Sequence, residues 1–389
     1  MFKFSLVLYK DNDSQPTFLY KNSLFSQSEC TNFLLMKSIT SNHTTIAFEE
    51  AGYTAINQYL KDADVSTIFL LVDNNTHTHC LPYFLSQIKT TNTIEIIEIE
   101  AGEFHKNIDT CLGVWNALSE LGADRKSLMI NLGGGVITDL GGFVACTFKR
   151  GIPYINVPTT LLAMVDASVG GKTGVDLGAL KNQIGVISSG DLVLIDTKFL
   201  DTLPKNQLHS GLTEMLKHGL ISSDLYWKKM VDYSNTPDNL NNLIYDSVVI
   251  KNKVVTEDPK ETGLRKTLNY GHTLGHAIES YCLETNDKPT LLHGEAIGIG
   301  LILETFISYK QLNFPERKLH QVKETVLKLF PKITFDQTDI HQIIDLLKFD
   351  KKNTHGQVNF VLLEDIGKHQ LDCQVSHELI KAAFDYYEQ

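Results

Sequence analysis

The segment LMINLGGGVITDLGGFVA, residues 128–145, joins a short apolar run to a second apolar run through three consecutive glycines. The first run is typical of a buried strand, and the second is spaced like a helix. Glycines between a strand and a helix let the backbone approach a phosphate, whose charge is stabilised at the helix N-terminus. The segment therefore predicts a strand–turn–helix unit with a nucleotide site at Gly133, Gly134 and Gly135. Because the pattern is not GxGxxG, a plain tight turn is the alternative.

Apolar, β-branched runs alternate with amphipathic segments on both sides of this turn. The strand candidates are residues 66–75, 93–102, 126–135, 152–160 and 191–200, and the helix candidates between them are 79–89 and 107–122. Strands and helices in alternation are typical of a parallel sheet that helices cover on both faces. The sequence thus predicts an α/β fold with a Rossmann-like parallel sheet.

The second half of the chain has a different pattern. Helical periodicity dominates from residue 206 to about Leu347, with one late strand candidate at 357–364. At 389 residues the chain is too long for one ordinary core. We expect an α/β nucleotide-binding domain over 36–205 and a mostly α-helical domain, binding metal and substrate, over 206–389. Residues 1–35 have no clear period and form an N-terminal extension of unknown role.

Composition excludes several classes of protein. The formal net charge is -11 and no long Lys/Arg block occurs, which argues against nucleic-acid binding. No run approaches the roughly 18 apolar residues of a membrane span. The six cysteines are scattered without a CxxC pair, so we expect reduced thiols in a cytoplasmic protein.

Two acidic residues lie where a nucleotide ribose could be bound. Asp73 ends the first clear strand, at an edge where a carboxylate accepts hydrogen bonds from ribose hydroxyls. A turn-forming role in Asp73-Asn74-Asn75 is equally consistent with the sequence. Asp139 lies one turn into the helix after the glycines, where the helix dipole alone also favours an acid.

A histidine-rich stretch follows in the helical half. His272 and His276 are four residues apart and share one helix face, with Glu279 close to the same stripe. His293 opens another helix together with Glu295, so the chain can bring a third imidazole close to the first two. Three histidines and a carboxylate predict a zinc-type site with an open position, and ordinary hydrogen-bonded histidines are the alternative.

Cationic and amide side chains recur in segments that are otherwise apolar or glycine-rich. In an acidic protein they predict a pocket for a substrate with several anionic groups, although each alone could be a surface charge. The set comprises Lys172, Lys181, Asn182, Lys217, Lys251, Arg265 and Asn269.

Together these segments resemble the 3-dehydroquinate synthase family, from about Asp73 to Lys352. The motifs are GGGVITDLGGFVACTFKRG, VPTTLLAMVDASVGGKTGVD, KNQIG, GLTEMLKHG, GLRKTLNYGHTLGHAIE and LLHGEAIGIG. The resemblance implies an NAD- and zinc-dependent lyase of the shikimate pathway, with cobalt as an alternative metal. Its reaction converts 3-deoxy-D-arabino-heptulosonate 7-phosphate to 3-dehydroquinate and phosphate. The steps implied are transient oxidation by NAD, phosphate elimination, re-reduction and an intramolecular aldol closure.

The resemblance also implies a role for individual positions. Metal ligands fall on Glu214, His272 and His293, which makes His276 a neighbour that faces the substrate. NAD contacts fall on Asp73, Asn75, Glu103, Lys106, Gly134, Gly135, Val136, Asp139, Thr159, Thr160, Leu162, Lys172, Lys181, Phe199, Thr202 and Leu203. Catalytic and substrate contacts fall on Asp166, Lys172, Lys181, Asn182, Lys217, Lys251, Arg265, Asn269, His276, and Lys351 or Lys352. Arg150 matches an arginine that reaches the neighbouring subunit, which implies a homodimer.

Three other functions are possible from the sequence. Another sugar phosphate cyclase, such as a 2-deoxy-scyllo-inosose or epi-valiolone synthase, would share fold, zinc and NAD. The motif SVGGKTGVD, Arg265 and Asn269 favour the dehydroquinate branch because they supply the groups expected to hold a substrate carboxylate. A metal-dependent polyol dehydrogenase would release NADH but has no need of so many cations. A catalytically silent NAD-binding regulator would not need the full set of ligands and lysines.

Overall fold

The structure is a computed structural model that describes residues 38–41, 44–178, 180–233, 237–285, 287–349 and 358–389. The chain divides into two compact units. The sheet unit comprises the described residues up to Pro158 together with Thr173–Asp196, and the helical unit comprises Thr159–Lys172 and the described residues from Thr197. The predicted N-terminal extension, Lys351 and Lys352 lie outside the described residues. The sequence suggested one boundary at residues 205/206, whereas the segments 159–172 and 197–205 both group with the helices.

The sheet unit contains nine strands and five α-helices in the described residues. The strands are β1 (Ile39–Ser41), β2 (Thr44–Phe48), β3 (Thr67–Asp73), β4 (Thr93–Ile99), β5 (Leu128–Gly133), β6 (Tyr154–Pro158), β7 (Lys172–Leu177), β8 (Leu180–Ile187) and β9 (Leu192–Ile195). The helices are α1 (Glu49–Asp62), α2 (Asn74–His79), α3 (Leu81–Gln87), α4 (Ile108–Glu120) and α5 (Gly135–Thr147). Short 3-10 turns cover Glu103–His105 and Phe148–Arg150.

Seven strands form one sheet in the order β1-β2-β9-β6-β5-β3-β4. All neighbouring pairs are parallel except β1 with β2. All five predicted strands occur in it, so the predicted parallel α/β fold is confirmed. From β3 the chain adds β4 on one side and then returns to place β5 on the other. The carboxyl ends of β3 and β5 therefore form a topological switch point, the usual ligand position in such sheets.

The glycine turn lies at this switch point, and close packing at Gly133 leaves no room for a side chain. A Cβ on Gly133 would lie 2.5 Å from Cβ of Ile137, so the start of α5 packs directly over the end of β5. Gly134 is the N-cap of α5 and has no side chain with which to cap it. The first N–H groups of α5 are therefore available to a ligand.

A second small sheet, formed by β7 and β8, was not predicted. Both strands contain glycine and polar residues, which weaken the usual strand signal. The backbones approach very closely, because a Cβ on Gly174 would lie 2.4 Å from the carbonyl oxygen of Ile184. The glycines thus have a packing role here that composition alone did not reveal.

The described residues of the helical unit form eight α-helices. They are α6 (Lys205–Ser222), α7 (Asp224–Val231), α8 (Pro237–Glu257), α9 (His272–Glu284), α10 (His293–Leu312), α11 (Glu316–Leu329), α12 (Gln337–Leu346) and α13 (His377–Glu388). Shorter turns cover Ala163–Ala167, which is π-helical, and Thr197–Thr202, Leu264–Asn269 and Leu347–Phe349, which are 3-10. Strands β10 (Phe360–Asp365) and β11 (Lys368–Cys373) form an antiparallel hairpin.

Helix α10 lies at the centre of this unit. It packs against α6, α9, α11, α13 and β10, and every residue from Ala296 to Ser308 is buried. The predicted helical character of this half and its late strand are both confirmed. No described helix has the length and apolar character needed to cross a membrane. The five cysteines in the described residues are free thiols.

Candidate active site

Three helices of the helical unit bring the predicted metal ligands together. Glu214 lies in the middle of α6, His272 is the first residue of α9, and His293 is the first residue of α10. Glu214 is fully buried, and His272 is almost so. Helix α6, which carries Glu214, is buried over twelve consecutive residues, from Ser210 to Ile221. Periodicity therefore did not single out Glu214.

The carboxylate of Glu214 faces both imidazoles. Its Oε1 lies 3.6 Å from Nε2 of His272 and 3.5 Å from Nε2 of His293. Within the described residues Oε1 of Glu214 is buried and accepts no hydrogen bond of ordinary geometry, whereas Oε2 forms an ion pair with Lys217. Two ligands each about 2.0–2.1 Å from a tetrahedral zinc ion are roughly 3.3–3.4 Å apart. The three side chains therefore fit a zinc-type ion with one further position open.

The Nδ1 atoms of His272 and His293 already have hydrogen-bond partners. His272 Nδ1 lies 3.1 Å from the carbonyl oxygen of Tyr270, and His293 Nδ1 lies 3.2 Å from Oε2 of Glu279. Hydrogen bonds of this kind place the proton on Nδ1 and leave Nε2 to bind a metal. The geometry thus matches histidines that are prepared for metal binding.

The local charge also favours a cation. Burial alone would lower the pKa of His293, but the carboxylates of Glu279 and Glu214 raise it to about 10. Burial alone would raise the pKa of Glu214, but Lys217 and His272 hold it well below its usual range. The carboxylate is therefore ionised and offers a negative ligand.

His276 lies one turn after His272 on α9. Its ring centroid is 5.1 Å from that of His272 and 5.7 Å from that of His293. One nitrogen from each of the three histidines lies within 4.8 Å of the others, so the set suggested by spacing alone is sterically possible. The position of Glu214, opposite Nε2 of His272 and His293, favours the set implied by the family resemblance.

A second set of possible metal ligands shares Glu214 with the first set. Ligand atoms of Asp166, Glu214 and His218 also lie within 4.8 Å of one another. Two lysine ammonium groups already occupy this position. Lys251 Nζ donates to Asp166 Oδ1 at 2.7 Å, and Lys217 forms an ion pair with Glu214. A second metal ion would have to displace them, so this group is a charge network and not a metal site.

His218 was not predicted from the sequence. It is fully buried in α6, its Nδ1 lies 2.8 Å from Oγ of Ser247, and its Nε2 is 3.8 Å from Asp166 Oδ1. Burial and the neighbouring Lys217 lower its pKa to about 3, so the imidazole is neutral. The sequence contained no periodic signal for it, because every neighbour on the helix is buried as well.

Lys172, Asn269 and Arg265 lie in the same unit. Glu261 forms an ion pair with Lys172 and accepts a hydrogen bond of 2.9 Å from Asn269. Arg265 is buried and donates to the carbonyl oxygens of Gly170 and Pro259, each at 3.0 Å. Arg265 and Asn269 belong to a 3-10 turn that ends before α9 begins, so they do not continue the helix that carries His272.

The sheet unit contains a separate polar cluster. Lys106 is buried and its Nζ donates to Asp139 Oδ2 at 2.6 Å and to Asn182 Oδ1 at 2.7 Å. Lys181 Nζ donates to Glu103 Oε1 at 2.9 Å. Asp139 lies in the first turns of α5, so the structure brings these five predicted positions close to the helix that follows the glycine turn.

The remaining predicted positions differ in their surroundings. The Asp73 side chain accepts hydrogen bonds from the backbone N–H and hydroxyl of Thr76 and caps α2. Asn74 and Asn75 therefore begin a helix and do not form the turn that the alternative suggested. Asn75 and Thr202 are exposed, Gly134, Gly135, Val136, Thr160, Leu162 and Leu203 are half-buried, and Thr159 and Phe199 are buried. Arg150 is exposed and has a left-handed backbone with φ of 70°.

Two family models match the chain. The model of 3-dehydroquinate synthase, N-terminal, matches residues 96–210, and the model of its C-terminal part matches residues 211–353. A 3-dehydroquinate synthase of Parabacteroides distasonis is 42% identical over 335 residues, which is 85% of this chain and 94% of the relative.

Solved structures of sugar phosphate cyclases have the same fold. A 2-deoxy-scyllo-inosose synthase complexed with carbaglucose-6-phosphate, NAD+ and Co2+ has a TM-score of 0.75 at 25% identity, covering 88% of this chain and 96% of that chain. The 2-epi-5-epi-valiolone synthase of Streptomyces hygroscopicus, with NAD+ and Zn2+ bound, has a TM-score of 0.75 at 23% identity, covering 95% and 99%. Identity is much higher to the dehydroquinate branch than to these cyclases, and the chain belongs to the 3-dehydroquinate synthase family.

Proposed function

We propose how the side chains of this chain divide the work of the family reaction. The reaction eliminates phosphate from 3-deoxy-D-arabino-heptulosonate 7-phosphate and yields 3-dehydroquinate, which makes the chain a carbon–oxygen lyase. The observation that carries the proposal is the position of Glu214 opposite Nε2 of both His272 and His293. A buried metal site beside buried lysines suits a substrate that has both hydroxyl and anionic groups.

Glu214, His272 and His293 would hold zinc or cobalt. A bound zinc ion acts as a Lewis acid that lowers the pKa of a coordinated hydroxyl. Within the chain, Glu279 and the Tyr270 carbonyl fix the two imidazole rings by hydrogen bonds at Nδ1. His276, one turn along α9, would contact the substrate beside the metal.

The cations would bind and orient the anionic groups of the substrate. Lys217 and Lys251 are buried, and ion pairs with Glu214 and Asp166 hold their ammonium groups in place. Groups fixed before the reaction need no reorganisation when charge develops on the substrate. Lys172, Arg265 and Asn269 would hold a second anionic group, and Lys351 or Lys352, outside the described residues, is proposed to contribute as well.

In the sheet unit, the glycine turn and the cluster around Lys106 would hold NAD. NAD bound there would supply reversible hydride transfer. The N-terminus of α5 suits a pyrophosphate, since its N-cap is Gly134. The proposed cofactor residues of the helical unit are Thr159, Thr160, Leu162, Lys172, Phe199, Thr202 and Leu203.

We expect the bound NAD to be regenerated in each turnover. Purified protein given the heptulosonate phosphate and a substoichiometric amount of NAD should release many phosphates per NAD, together with dehydroquinate. The assay follows phosphate with a coupled enzyme and NADH by its absorbance. Stoichiometric accumulation of NADH would contradict this function and favour a polyol dehydrogenase.

Arg265 is proposed to hold the substrate carboxylate. Arg offers a planar fork that matches a carboxylate, whereas Lys offers a point charge. Arg265→Lys should therefore raise KM for the heptulosonate phosphate by about 10-fold or more, which corresponds to roughly 1.4 kcal/mol. Metal content and NAD occupancy of the same sample should be unchanged. Because Arg265 also bonds the Gly170 and Pro259 carbonyls, the melting temperature must be recorded. Unchanged kinetics in both Arg265→Lys and Arg265→Ala would assign the carboxylate to another residue.

We propose that the enzyme is a homodimer in which Arg150 serves the partner's site. The side chain is exposed. Positive φ angles at Lys149, Arg150 and Gly151 turn the backbone sharply at this point. Non-glycine residues in this conformation are strained and occur often at functional positions. The dimer and the expected cytoplasmic location stay predictions.

A complementation experiment tests this arrangement. Arg150→Ala and His293→Ala should each be inactive as separate homodimers, and mixed subunits after dissociation and reassociation should regain a substantial fraction of the activity. Each mixed dimer would have one site with intact Arg150 and intact metal ligands. A mixture that stays inactive although mass spectrometry detects mixed dimers would show that Arg150 acts within its own subunit.

A further inference from the structure

Both proposed metal histidines occupy positions where a helix tends to fray. His272 is the first residue of α9, and His293 is the first residue of α10. The first four backbone N–H groups of a helix have no partner within the helix, and side chains usually supply one. The residue preceding α9 is Gly271, with φ of 79°, and the residue preceding α10 is Leu292. Neither residue has a side chain of the usual capping type.

The N-terminus of α9 is capped by a carboxylate from α10. Oε2 of Glu304 accepts a hydrogen bond of 2.7 Å from the N–H of Gly271, and Oε1 accepts one of 3.1 Å from the N–H of Leu274. Glu304 is fully buried, and the residues of α10 that precede it from Ala296 to Leu303 are all apolar and buried. A negative charge at a helix N-terminus also interacts favourably with the helix dipole. The two bonded residues lie on either side of His272.

The N-terminus of α10 is capped in turn from α6. Oγ of Ser210 accepts a hydrogen bond of 2.9 Å from the N–H of Gly294, the residue after His293. Ser210 lies one turn before Glu214 on the same helix and is buried. Glu295 adds a local bond, because its Oε2 accepts from the N–H of Leu292 at 2.7 Å.

Close helix packing makes these contacts possible. A Cβ on Gly300 would lie 2.0 Å from the carbonyl oxygen of Gly271, and one on Gly294 would lie 2.3 Å from that of Ser210. The backbones of α9, α10 and α6 therefore approach closely where the ligands are attached. A displacement of either helix start would change the distances between Glu214, His272 and His293.

We propose that Glu304 and Ser210 are positioning residues that cap, from neighbouring helices, the two helix starts bearing the metal histidines. Glu304 ties α9 to α10 and Ser210 ties α10 to α6, so the three proposed ligands form one connected frame. The caps hold this geometry before the metal binds. The inference rests on the proposed ligand set, and its prediction concerns metal affinity and not activity alone.

The test measures zinc affinity of the full chain after metal removal by a chelator. Zinc alone is the probe, in competition with a chromophoric chelator, and the visible absorption of bound Co2+ reports ligand geometry. We expect Glu304→Gln and Ser210→Ala to bind zinc about 10–100-fold more weakly, the range typical of residues that orient metal ligands. Glu304→Leu should have a larger effect, and Glu304→Gln decides the question where the leucine variant does not fold.

Ser376→Ala is the matched control. Oγ of Ser376 accepts a hydrogen bond from the N–H of Leu379 and caps α13, which carries none of the proposed ligands. This variant should lower the melting temperature without changing zinc affinity. If the caps at Glu304 and Ser210 had only a structural role, their variants would also lower the melting temperature and leave zinc affinity unchanged.

His272→Ala distinguishes a failure of the proposed ligand set from a failure of the proposed caps. Parent-like zinc affinity in His272→Ala would overturn the ligand set and with it the proposed metal site. Loss of zinc in His272→Ala together with parent-like affinity and Co2+ spectrum in folded Glu304→Gln and Ser210→Ala would overturn the cap inference and leave the metal site standing.

Discussion

Replacing His293 with Ala is expected to abolish tight zinc binding and to lower turnover by about 10³-fold or more. The variant removes one of three proposed ligands and leaves the buried carboxylate of Glu214 without one of the two imidazoles it faces. A metal acting as a Lewis acid contributes several kcal/mol to catalysis, and each 1.36 kcal/mol is a factor of ten in rate. Zinc content by mass spectrometry and phosphate release on the same sample measure both effects.

A neighbouring substitution gives a graded comparison. Glu279→Gln keeps an oxygen that can accept from Nδ1 of His293 but removes the charge, so zinc binding should weaken by about 10–100-fold without being lost. His341→Ala is the matched control, because His341 is exposed on α12 and lies 3.9 Å from Asp345. It should retain both zinc and activity. Stoichiometric, tightly bound zinc in folded His293→Ala would refute the ligand assignment.

The parallel sheet could be predicted because its strands are apolar and buried. The run that forms β5 is buried at every residue, and β3 is buried at all but its two ends. A continuous apolar run of this length has few alternatives once flanked by turn residues. Strands β7 and β8 were missed because their pairing depends on close approach at Gly174, which is a contact between distant backbones.

The site could be predicted in part for a similar reason. Residues four apart on a helix share a face, so the sequence alone placed His272 beside His276. Glu214 lies 58 residues upstream of His272, in a helix without a polar face, and was identified only through the family resemblance. Glu304 and His218 were missed because their partners are distant in sequence. A lone acid in the apolar segment GLILETFIS was a usable signal for Glu304, since a buried carboxylate requires hydrogen-bond donors.

The Lys251→Met variant should show the second large effect, on turnover and on stability together. Lys251 is almost completely buried and its ammonium group donates to both the side chain and the backbone oxygen of Asp166. Burial lowers the pKa of Lys251 although Asp166 opposes this, whereas Lys251 and Lys217 outweigh burial and hold the pKa of Asp166 well below its usual range. Losing a fixed cation beside a reacting anion typically lowers turnover by about 10²–10³-fold.

Stability should respond differently to single and double substitution, which separates the catalytic role from the structural one. Removing Lys251 alone leaves the Asp166 carboxylate with Lys217 at 3.8 Å and should lower the free energy of unfolding by about 1–3 kcal/mol. Lys251→Met combined with Asp166→Asn removes both charges and should recover most of that loss, whereas turnover stays low. The exposed pair Lys229 and Asp246 is the control, and Lys229→Met should change stability by less than about 1 kcal/mol. Parent-like turnover in folded Lys251→Met would exclude Lys251 from substrate binding and leave that role to Lys217.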